Sequence, residues 1–326
     1  MTGDETHMIA RETNAPLVSV VMTAYNRADL IGESIESVLH QSFTDFELIV
    51  VDDGSTDETV AIASRYLSDP RVRLHRNERN LGDYPNRNQA AAFATGRFLK
   101  YHDSDDVMYS HCLHVMVSSL LAEPRADFAV TSGRSWPDGA VPMLLTPRLA
   151  YEREFFSTGI FQHGPACGLF KTDFFRAIGG FPEHGGASDY LFWFKACAAG
   201  RTLLVAGDLF YYRIHAGQML QREQNIIEYA SARRIAWGLL LSAECPLTGR
   251  ALECAKTNFV YTLARDIYYQ LRDGNFGAAR ALFRSLDVSV WVRYMRSRKN
   301  IPGEEPETST SAPPVRDHVE RTEHSQ

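Results

Sequence analysis

The sequence has no apolar run long enough to cross a bilayer. Its longest uninterrupted stretches, such as Trp237–Leu241, fall far short of the roughly 18 residues a membrane helix requires. The first residues mix Asp4, Glu5, Arg11 and Glu12 and hold no apolar core of a secretory signal, so residues 1–15 read as a flexible leader. Cysteine is sparse. Cys112, Cys167, Cys197, Cys245 and Cys254 are odd in number, scattered and without C-x-x-C spacing, which argues against a disulfide framework or a zinc site and fits reduced thiols in a cytoplasm. A basic excess is also missing: 34 Lys and Arg stand against 40 Asp and Glu, for a net charge of −6, so no nucleic-acid partner is expected. There is no G-x-x-x-x-G-K-[ST], no G-x-G-x-x-G after the first strand and no G-x-S-x-G. The phosphate loop, the dinucleotide fingerprint and the nucleophile elbow are therefore absent.

What remains is a chain of 326 residues with 44% hydrophobic and 23% charged residues, ample for a substantial core. Up to about residue 132 it alternates strand and helix patterns. Leu17–Thr23, Glu47–Val51, Arg71–His75, Arg97–His102 and Asp127–Ser132 read as strands. The intervening helical patterns fall on Ala28–Gln41, Thr56–Leu67, Asn86–Thr95 and Tyr109–Ala122. Strands separated by crossover helices imply an α/β fold with a mostly parallel sheet covered on both faces, whose ligands sit at the carboxyl ends of the strands. Gly133–Gly164 carries Pro137, Pro142 and Pro147 with little periodicity and reads as a long loop. Phe170–Ile178 and Tyr190–Ala199 read as helices, and Leu203–Val205 and Leu209–Ile214 as late strands. Beyond residue 220 the pattern becomes helical. The expected organisation is a leader over 1–15, an α/β domain over 16–220, a helical region over 221–299 and a disordered tail over 300–326, which is rich in Pro, Glu, Ser and Thr. Val288–Lys299 sets Trp291 and Tyr294 beside Arg293, Arg296, Arg298 and Lys299, so peripheral contact with an anionic membrane competes with a plain terminal helix bearing a solvated basic face.

Polar residues gather where the strands end. Asp103-Ser104-Asp105-Asp106 follows the fourth strand. In extended chain residues two apart point the same way, so Asp103 and Asp105 can face one ligand, and such carboxylates suit Mg²⁺ or Mn²⁺ with positions left for phosphate oxygens. A solvated acidic turn is the alternative. Asp52-Asp53-Gly54-Ser55 ends the second strand, where an Asp can accept from a base N–H or a ribose hydroxyl, or merely shape a turn. Thr23-Ala24-Tyr25-Asn26-Arg27 ends the first, with Tyr25 able to stack on a base and Asn26 a natural turn residue.

Together, Val18–Arg27, Ser37–Phe43, Phe46–Asp57, Asn80-Leu81-Gly82 with Arg87-Asn88, and Asp103–Asp106 resemble the family 2 glycosyltransferases, over roughly Pro16 to His215. The resemblance implies a GT-A fold, a nucleotide-sugar donor, most often a UDP-sugar, and inversion at the anomeric carbon. It assigns Thr23, Ala24, Tyr25, Arg27, Asp53, Arg87 and Ser104 to the nucleotide, and Asp103, Asp105 and His215 of Tyr212-Arg213-Ile214-His215 to the metal. Gly185–Trp193 matches the family's acidic pair and aromatic helix. Ser188 replaces the usual first acid, and Asp189 remains as the general base. The Q-x-x-R-W motif and membrane helices of processive synthases are missing, so a single sugar is transferred, to a glycan, lipid-linked or small-molecule acceptor. His163 and Trp136 are acceptor-side candidates with structural alternatives, and Cys167, Phe192 and Trp193 read as core. Two competitors remain. A catalytically silent sugar-nucleotide module would suit Ser188, and a nucleotidyltransferase would need a glycine-rich basic loop that Ala24–Arg27 does not supply.

Overall fold

The computed structural model describes residues 15–131, 141–161, 163–215 and 224–296. The expected leader, the expected tail over 300–326 and Trp136 lie outside these residues, apart from Ala15.

In chain order the strands and helices are β1 Val18–Ala24, α1 Ile31–Leu39, β2 Phe46–Asp52, α2 Thr59–Ser64, β3 Val72–Arg76, α3 Asp83–Phe93 and β4 Phe98–Asp103. There follow β5 Val107–Met108, α4 Cys112–Ala122, β6 Phe128–Val130, β7 Met143–Leu145, α5 Pro147–Phe156, β8 Gly168–Lys171 and α6 Thr172–Ala177. The last are α7 Ser188–Ala199, β9 Thr202–Leu204, β10 Phe210–Tyr211, α8 Gln224–Leu241, α9 Gly249–Arg272, α10 Phe276–Arg284 and α11 Val288–Arg296.

Eight strands form one sheet in the order β3-β2-β1-β4-β8-β6-β9-β7, flanked by helices. Every residue of β1 and of β2 is buried, as their unbroken apolar runs demand of strands covered on both faces. Successive side chains feed opposite layers: Val20, Met22, Leu48 and Val50 enter one core, and Val21, Ile49 and Val51 the other. β1 runs parallel to β2 and to β4, and the register pairs Thr23 with Val51 and with Asp103, and Ala24 with Asp52. This register brings the polar ends of three strands side by side. A separate ribbon, β5 antiparallel to β10, leads the chain after β10 back toward the turn that follows β4. Gly96 lets the turn before β4 lie against β1, since a Cβ there would stand 2.6 Å from the Ser19 nitrogen and 2.8 Å from the Val18 carbonyl carbon. Gly96→Ala is expected to destabilise the fold by about 1–3 kcal/mol in urea unfolding, the cost of overpacking against rigid backbone.

Three expectations are corrected. Residues 143–156, read as loop, form β7 and α5; Thr146 caps α5 by accepting from the Leu149 N–H at 3.3 Å, and Pro147 occupies its first turn. Phe170, read as helical, lies in β8, which is antiparallel to β4 and β6, and the helix begins only at Thr172. Trp291 and Tyr294, which the membrane alternative would have turned toward lipid, are buried: Tyr294 meets Trp237 edge-on at 5.7 Å, and Trp291 donates to the Phe283 carbonyl at 3.0 Å. All five cysteines are free thiols. Among the described residues, no helix is long and apolar enough to cross a membrane.

Candidate active site

A cavity of about 930 Å³ opens at the carboxyl ends of β1, β2 and β4. Its wall includes Thr23, Ala24, Tyr25, Arg27, Asp53, Arg87, Asp103, Ser104, Asp105, His163 and Asp189, eleven residues singled out in the sequence. They come from six separate segments, and the sheet register and the loops explain why they meet.

The end of β1 is shaped by Asn26 at φ 52°, a left-handed conformation that asparagine tolerates. Its amide nitrogen donates to Ser55 Oγ at 2.9 Å, and its Oδ1 accepts from the Thr56 N–H at 2.9 Å. Asn26 thus locks the loop after β1 to the loop after β2, leaving Tyr25 exposed at the cavity and Arg27 turned toward Asp105. Asp53 is buried, and its carboxylate accepts from Asn77 Nδ2 at 2.8 Å, the Leu81 N–H at 2.9 Å and the Gly82 N–H at 3.0 Å. It therefore holds the Asn80–Gly82 loop against the cavity while itself lining it.

The acid motif departs from the extended geometry expected of it. The chain turns after Asp103, with the Asp106 N–H donating to the Asp103 carbonyl at 3.2 Å. The two carboxylates consequently take different partners. Asp103 lies 2.7 Å from an Arg87 guanidinium nitrogen. Burial alone would raise its pKa, but Arg87 outweighs burial and holds the carboxyl below its ordinary value. Asp105 Oδ2 meets Arg27 Nε at 3.1 Å and His215 Nε2 at 3.0 Å. His215 arrives through the β5–β10 ribbon: the Arg213 N–H donates to Asp106 Oδ1 at 3.0 Å, which draws residues 212–215 across the turn. Burial, with repulsion from Asp103, pushes the Asp106 carboxyl up to about 7. His102, directly before the motif, is buried, and its ring is pushed down to about 3, chiefly by burial, so it packs as neutral imidazole.

Asp189 stands in the first turn of α7, and burial pushes its carboxyl up to about 6. Ser188 contributes nothing to the cavity. Its hydroxyl donates to the Gly185 carbonyl at 2.8 Å and accepts from the His184 N–H at 2.9 Å, closing the turn that launches α7. His163 lies on the opposite wall, its backbone carbonyl accepting from Trp193 Nε1 at 2.5 Å. Burial lowers its ring pKa. Cys167 also lines the wall, but burial pushes its thiol up to about 12, which removes it as a nucleophile.

Several wall residues escaped the sequence reading. Asp83 lies 2.9 Å from Arg87 Nε, an i,i+4 pair in α3 that an earlier helix start would have revealed. Tyr84 sits close enough to Asp189 for burial and the carboxylate together to push its phenol well up. Tyr229 reaches the cavity from α8, and the neighbouring Glu228 accepts from the Gly186 N–H at 2.5 Å, tying α8 to the turn before Asp189. Lys100, buried in β4, donates to the Ala166 carbonyl and so pins the 165–167 wall segment. No local pattern marks these last contacts.

The family model described as Glycosyl transferase family 2 matches residues 19–176, which hold the ends of β1, β2 and β4. Over that segment the chain is similar to the family 2 glycosyltransferases. Individual proteins are similar over shorter or longer stretches. A UDP-Glc:alpha-D-GlcNAc-diphosphoundecaprenol beta-1,3-glucosyltransferase, WfgD of Escherichia coli, is 40% identical over 105 residues, covering 32% of this chain and 41% of WfgD. The chondroitin synthase of Pasteurella multocida is 29% identical over 189 residues, covering 57% of this chain and 19% of that protein. The chain thus spans less than half the length of either. An uncharacterized glycosyltransferase of Rickettsia prowazekii, RP339, is 29% identical over 223 residues, covering 66% of this chain and 69% of its own. Among solved structures, S. aureus TarS 1-349 in complex with UDP-GlcNAc superposes with a TM-score of 0.63 at 21% identity, covering 86% of this chain and 79% of that one. The Pyrobaculum calidifontis mannosyltransferase PcManGT, in complex with GDP-Man and Mn²⁺, superposes with a TM-score of 0.55 at 19% identity, covering 88% and 85%. At these identities the structural likeness establishes the GT-A fold alone.

Proposed function

We propose that this chain is a metal-dependent inverting glycosyltransferase. It moves one sugar from a nucleotide-sugar, in the first instance a UDP-sugar, to a hydroxyl of a glycan, lipid-linked or small-molecule acceptor. The observation that carries the reading is the placement of a half-buried carboxylate, Asp189, on the wall of the cavity that Thr23–Arg27, Asp53 and the Asp103–Asp105 turn also line. In this reading Tyr25 stacks on the base and Asp53 accepts from its N–H. Arg27 and Arg87 supply positive charge beside the diphosphate. Asp189 takes the proton of the acceptor hydroxyl as that oxygen attacks the anomeric carbon. The bond from that carbon to the diphosphate oxygen breaks on the opposite face, and the nucleoside diphosphate leaves with the electron pair.

Among the described residues, no three His, Cys, Asp or Glu side chains converge on one point. The donors present nevertheless suit a hard cation that also binds substrate phosphates. Asp105 Oδ2 and His215 Nε2 are 3.0 Å apart, close to the spacing of neighbouring vertices in an octahedron with bonds of about 2.1 Å. Mg²⁺ or Mn²⁺ would be held by Asp105 and His215, with Asp103 nearby, and would supply Lewis-acid stabilisation of the departing diphosphate.

Calorimetry with UDP, GDP and dTDP, each with and without Mn²⁺, tests the donor site. One nucleotide is expected to bind at least about tenfold tighter with the metal, an advantage that Asp105→Ala removes. No metal-dependent binding of any of the three would defeat the reading. A silent sugar-nucleotide module is favoured by one observation, the diversion of Ser188 into the backbone turn. That alternative predicts binding without donor turnover.

A further inference from the structure

The last two helices present a face that the other described residues leave uncovered. On α10, Ala279 and Leu282 turn inward, while Phe276, Arg280, Phe283 and Arg284 are exposed. These four positions follow i, i+4, i+7, i+8 spacing and form one stripe. Phe276 is 68% exposed and Phe283 46%. On α11 the aromatic residues Trp291 and Tyr294 face the interior, and Val288 and Val292 are outside, at 63% and 45%. Phe283 stacks on Trp291 with centroids 5.5 Å apart, which joins the two helices along this face. Neither Arg280 nor Arg284 is paired with an acid among the described residues, and the acid exposed between the helices is Asp287.

We propose that this α10–α11 face docks on an anionic lipid bilayer. Exposed phenylalanine and valine lose water by entering the headgroup boundary, and unpaired guanidiniums on the same stripe reach lipid phosphates. The overall charge of −6 makes such a local basic stripe distinctive, because charge alone would repel the chain from an acidic membrane. Charge also argues against a second copy as the occupant: a two-fold contact through this stripe would gather two copies each of Arg280 and Arg284 in one interface, with Asp287 the acid exposed between the helices. The assignment differs from the membrane alternative read from the sequence, which set Trp291 and Tyr294, both buried, beside Arg293, Arg296, Arg298 and Lys299. It is independent of the donor reading, since docking requires no nucleotide.

The full chain is sedimented with vesicles of phosphatidylcholine alone and of an equal mixture with phosphatidylglycerol, at low ionic strength. Binding to the mixed vesicles and not to phosphatidylcholine alone is expected. Arg280→Gln with Arg284→Gln should weaken it about thirtyfold, as two guanidiniums near a charged surface imply. Phe276→Gln with Val288→Gln, which removes nothing from the core, should weaken it at least about tenfold. Circular dichroism and UDP binding of both variants should match wild type, so a loss of docking is separable from misfolding and from failure of the donor site. Failure to bind the mixed vesicles, equal binding to both kinds, or binding unchanged in both double variants would overturn the proposal. So would a dimer in light scattering that the same substitutions dissolve without any vesicle binding.

Discussion

Asp189→Asn is expected to lower sugar transfer by about 10²–10⁴-fold while leaving nucleotide binding close to wild type. The amide keeps the shape of the carboxyl and its place in the first turn of α7, but it cannot take a proton. In the proposed reading nucleotide affinity rests on the strand-end loops, which Asn26 and Asp53 hold without help from Asp189. The pH dependence follows from the environment. Burial pushes the carboxyl up to about 6, well above the usual aspartate range. The working form is the deprotonated one, so activity should be flat above that value and fall about tenfold per pH unit below it. At neutral pH the group remains mostly ionised yet accepts a proton far more readily than an exposed aspartate. Initial rates of nucleoside diphosphate release, measured with donor and acceptor from pH 5 to 8, provide the check. Retention of most transfer in the variant, or a rate with no acid limb, would remove Asp189 from the role of base.

The parallel half of the fold was legible because its strands carry both requirements in their own residues. Val18–Ala24 and Phe46–Asp52 are apolar on both faces, and each ends in residues that make turns: Asn26 at positive φ, and Asp52 with Gly54 at φ +76°. Once those strands pair in parallel, their ends must lie together, so most of the residues now seen lining the cavity could be named in advance. The antiparallel half lacked such marks. β8 is four residues long and runs straight into α6, so its Phe170 shares a hydrophobic run with helical neighbours. Pro147 looked like loop punctuation because proline opens a helix as readily as it ends one, and the Thr146 cap was the missing clue. Trp291 and Tyr294 left two readings open because amphipathic spacing defines two faces without saying which one is covered. At the site, the contact of Glu228 with Gly186, 42 positions away, depends on packing and leaves no local signature. The turn after Asp103 sets a similar limit: two carboxylates in a D-x-D can share one ligand or, as here, be divided between Arg87 and Arg27.

Arg87→Met is expected to be the most damaging single change to the framework, at about 3–5 kcal/mol in urea unfolding at neutral pH. The buried guanidinium lies 2.9 Å from Asp83 and 2.7 Å from Asp103, its carbon sits 5.8 Å from the centre of the Tyr84 ring, and its backbone carbonyl accepts from the Tyr101 hydroxyl at 3.0 Å. Methionine fills a similar volume, so the loss is electrostatic: two enclosed carboxylates would remain without their cation. The pH dependence separates this cause from a packing defect. In the native protein Arg87 holds the Asp103 carboxyl below its ordinary value, while burial already raises Asp83. Without Arg87, burial would raise both. A raised carboxyl disfavours the fold once pH climbs above the unfolded value, and that penalty is relieved as pH falls and the folded group takes up its proton. The deficit of Arg87→Met relative to wild type should therefore be largest at pH 7–8 and narrow toward pH 5. A deficit that stays constant over that range would mean that Arg87 serves as filler. A narrowing one would mean that its charge is what allows acidic residues to crowd the end of β4, where the proposed donor's diphosphate would also be received.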